Sequence, residues 1–141
     1  MFAFIARQPI LDKEKSVFAY ELLFRDGKGG AYPEHKPEKA KLIAEHFLPL
    51  GLDDISGEKT SFINFSSETL ISRFPTTLNP ESVVVELADN PFDQSGLLEA
   101  CQHIKQLGFR LAIDDPMLLS AKHDIFPLID IVKVDVSKAR F

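Results

Sequence analysis

Glu21, Asn64, Glu86, the pair Asp114-Asp115, Lys133 and Asp135 are the residues of this chain whose types and placement suit chemistry. Each closes an apolar run. Glu21 follows Val17 and Ala19, Asn64 ends SFIN, Glu86 ends VVVE, Asp114 ends RLAID, and Lys133 and Asp135 end DIVKVD. One polar residue at a strand end serves equally well as a helix cap or a solvated loop acid. Five in succession along the chain are a different matter. Carboxylates and a carboxamide gathered on one rim repel one another unless positive charge lies between them. Oxygen-only donors suit hard divalent cations such as Mg²⁺, Mn²⁺ or Ca²⁺. The set holds no Cys–His cluster, which excludes a structural zinc site. Lys133 adds a fixed cation able to meet a phosphate or an attacking water.

Such a rim needs strands whose C-terminal ends open on one face. The apolar runs 16–23, 61–65, 82–87, 109–114 and 130–136 read as strands, and the Val83-Val84-Val85 run as one buried on both faces. Helical periodicity lies between them. Residues 38–48 carry Ala40, Ile43, Ala44 and Phe47 on one face. Residues 66–74 follow a serine pair able to cap a helix and stop at Pro75. Leu97, Ala100, Cys101, Ile104 and Leu107 form an apolar stripe that Gly108 ends. Strands and helices alternating over short joins indicate parallel βαβ units, an α/β fold. In such sheets sites are built at the carboxyl ends of the strands, and successive residues point to opposite faces. The glycines and prolines of 26–37 predict a mobile loop.

The 141 residues suffice for one domain, and 45% hydrophobic with 26% charged residues is a globular balance. A formal charge of −5 argues against a polymeric nucleic-acid partner but not against a small anion held by local cations or metal ions. The first residues have neither the basic leader nor the cleavage site of a signal peptide, and no run approaches a membrane span. The single cysteine, Cys101, cannot form an internal disulfide, which fits a cytoplasmic protein. Its register with Leu97 and Ile104 marks it as a core residue.

In these residues the chain resembles the EAL domains, the cyclic-di-GMP phosphodiesterase family, and most of all the branch in which EAL precedes an HDOD domain. ARQPILDKEKSVFAYELLFRDG resembles the family opening, with a Gln-Pro pair ahead of a Glu-Leu-Leu in place of Glu-Ala-Leu and with the trailing Arg25 kept. INFS matches the Asn motif at Asn64, and VVELAD the Glu motif at Glu86, with Asp89 where the family has a second Glu. IDDP matches the double-Asp motif at Asp114 and Asp115, and VKVD the Lys-x-Asp motif at Lys133 and Asp135.

The resemblance implies a TIM-type (β/α) barrel of which 1–141 form the N-terminal portion, with about six strands and the C-terminal units missing. It implies that Glu21, Asn64, Glu86, Asp114 and Asp115 bind Mg²⁺ or Mn²⁺. Glu21, Asp114 and Lys133 are the implied catalytic residues, and Gln8, Arg25 and Asp135 the implied substrate-binding ones. The implied reaction is hydrolysis of cyclic di-GMP to pGpG in bacterial signalling. An open barrel edge predicts a homodimer, and a chain lacking part of the metal shell predicts weak or absent turnover. The alternative is a degenerate EAL module that binds dinucleotide or protein partners without hydrolysis. Pro116-Met117-Leu118, where the family has Phe-Gly and a regulatory loop, points that way. A Mg²⁺-dependent barrel of the enolase type is a more distant reading.

Overall fold

The computed structural model describes residues 3–26, 57–87, 95–114 and 124–135. The expected helix over 38–48, the expected loop beyond Asp26, and Asp89, Asp115 and Pro116 lie outside the described residues. The chain divides into two compact units, Met1–Asn64 and Phe65–Phe141.

In the first unit, β1 (Ala3–Leu11) and β2 (Val17–Asp26) form an antiparallel hairpin, and β2 runs parallel to β3 (Thr60–Phe65). The antiparallel pair departs from the all-parallel expectation for a physical reason. A parallel crossover needs a dozen or more residues, and the connection Asp12–Ser16 allows only a hairpin. Asp12 builds that turn. Its carboxylate accepts from the Glu14 and Ser16 amides at 2.9 and 3.0 Å, and its backbone N–H donates to the Ser16 carbonyl at 2.9 Å. Closing the turn puts Lys15 at φ 64°, in the left-handed region. Ala19, Leu22, Phe62 and Ile63 are buried, and Phe18 meets Phe62 edge-on at 6.4 Å.

In the second unit, α1 (Ser67–Ile71) begins as expected, with the Ser66 hydroxyl accepting from the Thr69 amide at 3.3 Å. It ends short of the predicted residue 74. Arg73 turns left-handed at φ 67°, its guanidinium bonds the Ile71 carbonyl at 2.8 Å, and a 3₁₀ turn follows over Phe74–Thr77. Pro75 sits in the first turn of that 3₁₀ helix, where its missing N–H has no intrahelical partner to lose. It opens an element rather than stopping one.

Strand β4 (Val83–Leu87) is buried at every position, as its valine run predicts. Helix α2 (Leu97–Gln106) buries Leu97, Ala100, Cys101 and Ile104. Leu107, predicted to share the stripe, is instead the C-cap and 46% exposed. Gly108 at φ 95° donates to the Lys105 carbonyl, and Phe109 donates to that of Ile104 and takes the buried place. This is the Schellman termination, with its hydrophobic contact two residues past the cap. Strands β5 (Arg110–Ile113) and β6 (Ile131–Val132) continue the sheet from β4, each parallel to its neighbour. Amides of Asp130 and Lys133, bonded to the Leu111 and Ile113 carbonyls at 2.9 and 2.8 Å, extend β6 at both ends.

Candidate functional site

Register decides which side chains meet, because residues paired across strands share a face and every second residue returns to it. In the first unit Gln8 pairs with Glu21, and Glu21 with Phe62, so Asn64 falls on the same face as Glu21. The Asn64 amide nitrogen donates to Glu21 Oε1 at 2.8 Å. Glu21 is buried and lies within β2, five residues before its end at Asp26, rather than closing the strand as expected, because the apolar residues Leu22, Leu23 and Phe24 carry the strand on. Gln8, directly opposite on β1, is exposed. Arg25 pairs with Phe4, and its side chain lies outside the described residues. On the other face the Arg7 guanidinium stacks 4.7 Å above the Tyr20 ring.

In the second unit Glu86 pairs with Ala112, and Ala112 with Ile131. Two residues on from the last two partners are Asp114 and Lys133, so all three polar groups share one face. Glu86 and Asp114 offer carboxylate oxygens within 4.8 Å of each other. The Lys133 ammonium lies 2.6 Å from Glu86 Oε1 and 3.0 Å from Asp114 Oδ1. Burial is uneven: the Glu86 side chain is 0% exposed, that of Lys133 10% and that of Asp114 60%. A carboxylate without solvent must be paired to stay charged, and Lys133 supplies the pairing. Asp135, beyond β6, is exposed. The oxygen-only donors Glu21 with Asn64, and Glu86 with Asp114, fit a hard divalent cation.

Sequence reasoning gave Lys133 a phosphate or a water as its target, and the structure places it on two carboxylates. The relevant signal is the parity of Glu86, Asp114 and Lys133, which is meaningful only once the register is known. Asp130 was missed altogether. Its carboxylate accepts from Lys105 Nζ at 2.7 and 2.6 Å and from the Leu111 amide at 2.9 Å, tying α2 to the start of β6. Burial pushes its acidity down, but the bonds from Lys105 and Leu111 outweigh this and leave its pKa below the ordinary 3.8. Cys101 is buried among apolar side chains, and loss of solvent pushes its thiol up to about 11 against the opposing pull of Arg73. It is a core residue, as its register predicted.

No protein-family model matches the chain. The chain is 40% identical over 136 residues to the cyclic di-GMP phosphodiesterase CdgJ of Vibrio cholerae, covering 94% of this chain and 32% of that protein. It is 31% identical to the uncharacterized protein YuxH of Bacillus subtilis, over 98% of this chain and 36% of YuxH. The chain thus spans about a third of the length of the curated relatives it matches. An EAL domain protein from Listeria monocytogenes superposes with a TM-score of 0.63 at 20% identity, over 96% of this chain and 64% of that one. The chain has the EAL fold. Klebsiella pneumoniae BlrP1, solved with calcium and cyclic di-GMP, agrees equally well in fold, with a TM-score of 0.63 at 20% identity over 96% of this chain and 40% of that one. The EAL resemblance read from the motifs is thereby borne out, and the six described strands match the number expected. Among the described residues, no helix is long and apolar enough to cross a membrane.

Proposed function

We propose that this chain carries the metal- and nucleotide-binding strand ends of a phosphodiesterase that hydrolyses cyclic di-GMP to pGpG. The observation that carries this reading is the meeting of Glu86, Asp114 and Lys133 on one face at the ends of β4, β5 and β6, each in an EAL motif. The 40% identity to a cyclic di-GMP phosphodiesterase supports it. On this reading Glu21, Asn64, Glu86, Asp114 and Asp115 hold Mg²⁺ or Mn²⁺, and all five donate through oxygen. The bound metal would lower the pKa of a water and neutralise charge on the phosphoryl oxygens.

The chain's own residues then divide the work. The Asn64 amide fixes the orientation of Glu21. Gln8 and Arg25 bind the nucleotide, Arg25 through the paired donors that suit a phosphate, and Asp135 contributes at the rim. Lys133 stays charged among acids and meets the phosphodiester or the attacking water. In pGpG the phosphate remains on its 5′ oxygen. Water oxygen therefore bonds to phosphorus while the 3′ oxygen leaves and takes up a proton. Glu21, Asp114 and Lys133 are the groups assigned to that step. The same reading makes the protein a cytoplasmic homodimer whose parent chain carries an HDOD domain.

One sequence feature favours the second reading, binding without hydrolysis. Pro116 directly follows the double Asp and restricts the backbone of Asp115. Chromatography of cyclic di-GMP incubated with the full parent chain and Mg²⁺ or Mn²⁺ separates the two, because 1–141 alone is expected to turn over weakly or not at all. Formation of pGpG that Glu21→Ala abolishes is the expected result. Saturable binding with no product under either metal would give the second reading the field.

A further inference from the structure

We infer that Lys133 is an internal rival for the cation site, and that a divalent ion reaches Glu86 and Asp114 by displacing its ammonium, which releases Lys133 toward the phosphodiester. This rests on the reading that these carboxylates take a divalent cation. The ammonium sits 2.6 Å from Glu86 Oε1 and 3.0 Å from Asp114 Oδ1, on the two carboxylates such an ion would use. Divalent ions bond carboxylate oxygen at about 2.0–2.6 Å, so ion and ammonium would be close neighbours. With Glu86 fully buried and Lys133 nearly so, little water screens their repulsion.

The burial gradient gives the exchange a direction. Asp114 is 60% exposed and tolerates loss of its partner to water, whereas Glu86 must exchange one cation directly for another.

Mn²⁺ binding to the chain, followed by the electron paramagnetic resonance of the free ion, tests this with Lys133→Met and Lys133→Arg. Lys133→Met should bind Mn²⁺ roughly tenfold or more tightly than the parent sequence, since the rival charge is gone. Lys133→Arg, which keeps the charge, should bind as the parent does. Equal or weaker binding by Lys133→Met, with the parent sequence binding normally, would overturn the rivalry and leave the cation reading intact. If neither the parent sequence nor the variants bind Mn²⁺, the cation reading falls and the rivalry falls with it. A second measurement needs no substitution. Mg²⁺ should increase acylation of Lys133 by an amine-reactive ester, read by peptide mass spectrometry, and unchanged or reduced labelling would contradict the displacement.

Discussion

At the residue scale, the three polar groups of β4, β5 and β6 are far from equivalent. Lys133 compensates a carboxylate with no exposed surface, and Asp114 is a partner with ample water of its own. Removing one member of a buried pair leaves an uncompensated charge, at a cost of about 3–5 kcal/mol. Lys133→Met should therefore lower the unfolding free energy by roughly that amount, and Asp114→Asn by about 1 kcal/mol or less, as expected for an exposed ion pair. Urea denaturation compares them directly. Cys101 offers a second check. With its thiol pushed up to about 11 by burial, it should resist Ellman's reagent at pH 8 in folded protein and react fully once the protein is unfolded. Its core position was legible from the sequence because Leu97 and Ile104 share its helical face. The partners of Lys133 were not legible, because they depend on register across β4, β5 and β6 rather than on spacing within one segment.

At the scale of elements, the clearest device is the tie between α2 and β6 through Asp130. Its pKa in the folded state is below the unfolded value of 3.8, so its contribution to stability is present above that value. The contribution is lost as pH falls through the lower folded value. The stability difference between the parent sequence and Asp130→Asn should thus hold steady from pH 7 to 5 and shrink below about pH 4. Denaturant unfolding at a series of pH values measures it. The cap at Ser66, the stop at Gly108 and the buried valine strand were all readable, since each is a local signal with a local cause. The end of α1 was not. Pro75 looked like a helix stop, but Arg73 had already turned left-handed and the proline opened a 3₁₀ turn. The direction of β1 was open to inference from the short Asp12–Ser16 connection. Alternating apolar residues reveal a strand but carry no information about which way it runs.

At the scale of the whole molecule, a net charge of −5 gives no general attraction for an anionic dinucleotide. Binding must come from local cations: Arg25 and Lys133 in the chain, and the metal that the clustered oxygens are proposed to hold. The order of the strand-end motifs along the chain was legible without coordinates, and each described unit brings its own pair of them together: Glu21 with Asn64, and Glu86 with Asp114. The measurement that most directly tests the account is calorimetric titration of the protein with cyclic di-GMP, in Mn²⁺ and again in excess EDTA. Saturable binding with Mn²⁺ that is lost on chelation and lost again in Glu21→Ala is the expected result. Binding that persists unchanged in EDTA and in Glu21→Ala would contradict it.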